Sequence, residues 1–326
     1  MVENNLFTRE IEVLLSIVPA LHRALNTSST EKPILLGPRC YFFSGKPHQK
    51  LVMEDLSESG FKMASRMSGL DLDHSKLVIS RLGQFHAASV ALHSQEPGVF
   101  EKFLTNVFVG SNNHMTNLLS ESLKSVAEKV QNWPEVGHRY FEKLRQLSET
   151  GVHRLEKAVK RDDQDFNVLT HGDTWTNNMM FRYNEDGKVS DMIFLDFQCC
   201  YYGSPVLDLH YFLYTSPTPE VRSRHMDELV ECYHSSLSKT LARLGCGSQC
   251  PSLEIIREKM IIRNFMGVFT VFCIKPLTSA NPDNTPDIAD LFVSPSENYS
   301  SAHLTEDYMR ELTTLLPILE KDGLLD

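Results

Sequence analysis

LTHGDTWTNNMMF, residues 169–181, followed by IFLDFQ, residues 193–198, is the stretch on which the reading of this chain turns. Phe166–Thr170 reads as a short apolar strand, Met179–Tyr183 as a second and Val189–Phe197 as a third, with Asn184-Glu185-Asp186-Gly187 as a hairpin turn between the last two, because Asn and Gly tolerate the backbone a tight turn needs. A strand-loop-strand-turn-strand unit brings its strand ends together, so Asp173, Asn178 and Asp196 are expected to share one small volume. An amide and a carboxylate form a hard oxygen site suited to Mg²⁺ that keeps phosphate oxygens among its ligands. The remaining carboxylate can orient and deprotonate an attacking hydroxyl, the division of labour of phosphoryl transfer.

Outward from this stretch the chain divides by texture. Phe7, Ile11, Leu14, Leu15, Val18 and Leu21 predict a helix over 6–25, bent or ended by Pro19. Ile34–Phe43 and Lys50–Leu56 predict strands joined by a turn at Ser44–Pro47. A helix from an Asp73 N-cap to His93 follows, then two antiparallel helices over 115–160 separated at Asn132-Trp133-Pro134. Further helices are expected at 205–214, 219–244, 253–275 and 304–321, with a long loop at 279–301. The expected fold is α+β: a small head followed by a mostly helical body, with a short sheet insert carrying the polar residues.

Composition limits what such a chain does. Its 326 residues carry a net charge of -10, with 41% hydrophobic and 23% charged residues, so neither disorder nor a fibrous repeat is expected. No dense basic run is present, which argues against nucleic acid and anionic membrane as partners. The most apolar stretch, Phe265–Ile274, is too short to span a bilayer and reads as a buried helix. Seven irregularly spaced cysteines suit a reducing compartment, MVENNLFTREIEVLL does not read as a signal peptide, and the expected location is cytoplasmic. Cys246 and Cys250 have no second pair at zinc-site spacing, His86 and His93 read as core or surface histidines, and oligomeric state is not legible.

HGDTWTNN with DFQCCYYGSPVLDLHYF (196–212) resembles the ecdysteroid kinase-like family, within the aminoglycoside and choline kinase superfamily. LVMEDL (51–56), LGQFHAAS (82–89) and Phe7-x-x-Glu10-Ile11 agree in order and spacing, so the resemblance runs from about Phe7 to Pro276. It implies a protein-kinase-like two-lobe fold, with a partial N-lobe and hinge at 1–56 and a mostly helical C-lobe at 57–326. It also implies ATP and Mg²⁺ as cofactors and a small-molecule alcohol, an ecdysteroid or a xenobiotic, as substrate. Asp173 would be the catalytic base, Asn178 and Asp196 the magnesium ligands, and Met53, Glu54, Asp55, Leu56 and Met180 the adenine site. His171 and Asp208 would brace the loop.

In that superfamily a glycine-rich hairpin and a strand lysine precede the helix that bears the partner glutamate, here Glu10. MVENNLFTR contains neither, and Lys32, Lys46 and Lys50 all follow Glu10. The expectation is a truncated N-lobe in which Glu10 lacks that lysine and sits exposed or paired elsewhere. Two functions stand side by side: an ATP-dependent small-molecule kinase, or a catalytically impaired pseudokinase or binding module.

Overall fold

The computed structural model describes residues 6–27, 33–45, 48–105, 114–134, 136–280 and 304–326. Lys32, Lys46, Pro47 and nearly all of the expected 279–301 loop lie outside the described residues. The fold is mixed α+β and mostly helical, with three small sheets. The chain packs as two compact units, one of Met1–Asn106 with Arg161–Lys259, the other of Val107–Lys160 with Met260–Asp326.

The first unit opens with α1 (Leu6–Glu12), which widens into a π-turn at Val13–Ile17 and continues as α2 (Val18–Leu25), with Pro19, which has no N–H to give the preceding turn, just past the π-turn. The antiparallel hairpin β1 (Cys40–Ser44) and β2 (Lys50–Met53) follows, then the two-residue β3 (Lys62–Met63). The strands are shorter than the hydropathy suggested. Residues 34–39 are not strand, because Leu36 spends its N–H on His22 Nε2 (2.8 Å) and its carbonyl on Phe194 (3.0 Å). Beyond Met53 one more backbone bond, from the Glu54 N–H to the Arg39 carbonyl at 2.9 Å, ends the pairing, and Asp55 closes a turn on Ser57.

The long helix α3 (Leu72–Gln95) is capped by Asp71, not Asp73: the Asp71 carboxylate accepts the His74 N–H at 2.9 Å. Its buried face packs against α7 (Pro219–Arg243), and Gly83 sets the distance, since a Cβ there would stand 2.9 Å from both the Tyr233 carbonyl and the Leu237 nitrogen. One turn further on, His86 reaches Tyr233.

The three strands expected to form one unit enter two sheets. β4 (Val168–Thr170) pairs with β7 (Tyr201–Gly203), a strand without a hydropathy pattern of its own. The hairpin β5 (Met179–Tyr183) and β6 (Val189–Phe194) takes β3 on its free edge. Buried Arg81 fastens α3 to this hairpin, binding Asp191 at 2.6 Å while Arg182 takes the other Asp191 oxygen at 2.5 Å. α6 (Val206–Thr215), wholly buried, and α8 (Leu253–Ile262) complete the elements of this part of the chain.

In the second unit α4 (His114–Gln131) packs on α5 (Gly137–Val159). The expected 253–275 helix is broken: α8 stops at Ile262 and the chain restarts as α9 (Phe265–Phe269), a π-turn Thr270–Ile274 and α10 (Lys275–Thr278). Arg263 at the break donates to the Ala158 and Lys160 carbonyls, both 2.7 Å, closing the end of α5. Phe265, Phe269 and Phe272 are core, as is the inner face of the last helix, Glu306–Lys321. All seven cysteines are free thiols. Among the described residues no single helix is long and apolar enough to cross a membrane.

Candidate active site

The loop leaving β4 is held by a carboxylate. Asp208, in the first turn of α6, accepts the His171 N–H at 2.7 Å and the Gly172 N–H at 2.9 Å, and its carbonyl accepts the Thr174 hydroxyl at 3.0 Å. Gly172 turns at φ 82°, and a Cβ there would lie 2.2 Å from the Cys199 carbonyl oxygen, so no other residue fits. Behind Asp208 stands His86, with Nε2 3.1 Å from Asp208 Oδ2 and Nδ1 2.9 Å from the Tyr233 hydroxyl. His171 is fully buried, and burial pushes its pKa down to about 4, so its ring is neutral. With Nε2 donating to the Leu195 carbonyl at 3.0 Å, Nδ1 is left to accept the Asp173 N–H at 3.3 Å.

Both oxygens of Asp173 are occupied. Oδ2 accepts from Asn178 Nδ2 at 2.7 Å, and Oδ1 accepts from the Tyr211 hydroxyl, one turn along α6 from Asp208. Burial, then the charge of Asp196, raises the Asp173 pKa to about 7, against donors from Tyr211, Asn178 and Trp175. The Trp175 indole lies close enough to favour the charged carboxylate, yet its N–H meets no acceptor with hydrogen-bond geometry.

Asn178 ends a single turn, Thr176–Asn178, just before β5. Its carbonyl accepts the Leu195 N–H at 2.8 Å, which brings Asp196 alongside. Asp196 has φ 59°, the one non-glycine residue with positive φ among those described, and its carboxylate accepts from Gln198 Nε2 at 3.1 Å. Strained backbone of this kind gathers at functional sites.

Glu10 is neither exposed nor ion-paired. It is largely desolvated beside Asp196 and accepts the Phe197 N–H; burial, then Asp196, raises its pKa to about 7. Its neighbour Arg9, also buried, donates to the Cys200 carbonyl at 3.0 Å, so α1 lies along residues 196–200. Among the described residues no cation pairs with Glu10.

The 50–56 segment divides. Leu56 is buried with Phe61 and Ile193, and Met180, Leu35 and Leu195 pack against that cluster. Leu56 and Met180 therefore share one cluster, which Leu195, the residue before Asp196, also joins. Met53 is exposed at the end of β2, Glu54 exchanges hydrogen bonds with Arg39, and Asp55 turns back on Ser57, so Glu54 and Asp55 spend these hydrogen bonds within 39–57.

The arrangement gathers negative charge. Glu10 and Asp173 both lie in the field of Asp196, and burial first, then that charge, raises each to about 7. Asn178 turns its amide nitrogen to Asp173, which leaves its oxygen as the coordinating end. Among the described residues no three His, Cys, Asp or Glu form a closed metal cage. An amide oxygen, a carboxylate and unbalanced negative charge fit Mg²⁺, which takes few protein ligands and completes its shell with water and phosphate.

Sequence reasoning missed Arg9, Trp175, Tyr211, and the pairs His86–Tyr233 and Arg81–Asp191. Only Tyr211 had an accessible signal: three residues past Asp208 on one helix, it shares Asp208's face.

The sequence matches the ecdysteroid kinase-like family over residues 1–246. Among curated proteins no match is found. Solved structures similar to this chain include a choline kinase from Cryptosporidium parvum Iowa II, 14% identical, with 98% of this chain and 83% of that one covered and a TM-score of 0.47. A Plasmodium vivax ethanolamine kinase is 13% identical, with 97% and 73% covered and a TM-score of 0.46.

Proposed function

Because the chain belongs to the ecdysteroid kinase-like family, a kinase-like family of small-molecule kinases, we propose that it transfers the terminal phosphoryl group of ATP to a hydroxyl of a small alcohol, an ecdysteroid or a xenobiotic. The observation that carries this reading is Asp173: buried, its carboxylate oriented by Tyr211 and Asn178, its pKa raised to about 7. A general base works best with a pKa near the operating pH, within hydrogen-bond reach of the proton it removes. Asp173 accepts the proton of the substrate hydroxyl as its oxygen attacks phosphorus.

Asn178 and Asp196 are the residues that would hold Mg²⁺, which supplies charge neutralisation on the phosphate oxygens. Leu56 and Met180 offer an apolar bed for adenine, with Met53, Glu54 and Asp55 at its rim. Asp208 keeps the loop in register and His171, uncharged, ties it to Leu195.

The test is mass-spectrometric detection of phosphorylated product from a panel of alcohols, ecdysteroids included, with ATP and Mg²⁺. Product from at least one alcohol is expected; none from any, with the chain folded, would remove the kinase reading. A binding role without turnover is favoured by one observation, that Glu10 lies against Asp196 and Phe197 with no cation between among the described residues. Nucleotide binding without product would select it.

A further inference from the structure

We propose that Trp175 is a substrate contact: its indole N–H receives the oxygen of the same hydroxyl whose proton Asp173 takes. This rests on the reading of Asp173 as the base. Trp175 lies two residues beyond Asp173, is 8% exposed, and its Nε1 has no hydrogen-bond partner among the described residues. Buried donors in native proteins are rarely left unpaired, since each forfeits its bond to water, and a buried indole N–H normally finds an acceptor. Arg81 also has an unpaired buried nitrogen, but its other nitrogens are bonded. Indole has one polar atom, and its weak pull on the Asp173 carboxylate leaves Trp175 without a well-formed hydrogen bond.

Asp173 does not supply that bond. Its oxygens take Tyr211 and Asn178, and the indole, although near enough to favour the charged carboxylate, is not aligned for a bond to it. An acceptor atom beside Asp173 satisfies both groups at once. The atom that must come there is the oxygen of the reacting hydroxyl, because its hydrogen has to reach Asp173. That oxygen then points its proton at Asp173, gives one lone pair to the indole, and keeps the other for phosphorus. As the new oxygen–phosphorus bond forms, the proton passes to Asp173 and the bond from phosphorus to the ADP oxygen breaks. Trp175 fixes the attack direction, which one contact to Asp173 alone leaves free to rotate.

The sequence has two tryptophans, so Trp133→Phe leaves Trp175 as the only indole. Ecdysone and each alcohol that the unaltered chain phosphorylates are titrated into this variant while emission is recorded. A saturable change with a midpoint near the alcohol's KM is expected. In parallel, Trp175→Phe should lower kcat/KM for the alcohol about 10-fold, the worth of one hydrogen bond, with the KM for ATP changed less than about 2-fold. A residue that only packs would lower the melting temperature and spare that split. Emission that stays constant at saturating alcohol, or a Trp175→Phe enzyme within about 2-fold of the original for the alcohol, overturns the inference while the kinase reading stands. If Trp175→Phe does not fold, the emission titration decides alone. Absence of turnover in the unaltered chain with every alcohol overturns the kinase reading and this inference together.

Discussion

At residues 171–174 the backbone has no strand or helix partner, and the carboxylate of Asp208 takes two of its N–H groups where water does not reach. The β1–β2 hairpin is the reverse case: its backbone is satisfied by its own register, from Ser44↔Lys50 to Cys40↔Met53, while Tyr41 is 65% and Phe42 57% exposed. The loop is irregular in conformation and fixed by buried polar bonds; the hairpin is regular and buries almost nothing. Regular hydrogen bonding is therefore no guide to which segment the fold holds hardest. An isolated two-stranded hairpin is marginal in water, whereas each buried bond to the loop can be broken only by stranding a polar group.

The largest difference between the two regions should appear in turnover. Asp173→Ala is expected to lower kcat by about 10²-fold or more, with the melting temperature little changed, because the lost carboxyl was held charged only at a cost. Turnover equal to that of the unaltered chain would take the chemistry away from this loop.

Asp208→Ala should act on the fold itself. It leaves the His171 and Gly172 N–H groups and one side of His86 without an acceptor, a loss of about 3 kcal/mol or more, measured by urea unfolding. A loss under about 1 kcal/mol would show that the loop is held by something else.

A smaller effect is set by pH. Asp173 and Glu10 stand near 7 in the folded chain against ordinary values of 3.8 and 4.5. Between these limits the folded state binds more protons than the unfolded one, so stability from this source is full below about pH 4, falls as pH rises, and is gone above about 7. In metal-free buffer Asp173→Asn should melt progressively higher, relative to the unaltered chain, as pH is taken from 5 to 7.5. A difference that stays constant over that range would mean that Asp173 carries no such burden.

The least effect is expected in the hairpin. Tyr41→Ser and Phe42→Ser should each shift stability by about 0.5 kcal/mol or less. A change as large as that of Asp208→Ala would erase the contrast between the two regions.

What could be read beforehand was local. The turn at Asn184–Gly187 closes within five residues, with Asn184 Oδ1 accepting the Lys188 N–H at 2.8 Å and Gly187 at φ 75°, and it lay open in the sequence. Asp173 and Asn178 are five residues apart and could be paired on spacing alone. β7 and β3 could not, because a three-residue and a two-residue strand carry no periodicity, and β3 pairs with β5 more than a hundred residues away. Asp71 and Asp73 offer the same cap chemistry two positions apart, and the difference lies in which carboxylate reaches a free N–H. Tyr211 and Trp175 gain their meaning only when α6 and the loop after β4 come together, a contact that no hydropathy pattern encodes.

The left-handed backbone at Asp196 has an evolutionary corollary. Glycine holds that conformation without the penalty of about 1 kcal/mol that a Cβ incurs, and either aspartate codon becomes a glycine codon by a single-base transition. A lineage with no use for the carboxylate thus has a short mutational path to a more relaxed chain. Among orthologues, glycine at this position would mark lineages released from selection on the carboxylate, and its frequency would serve as a clock for that release.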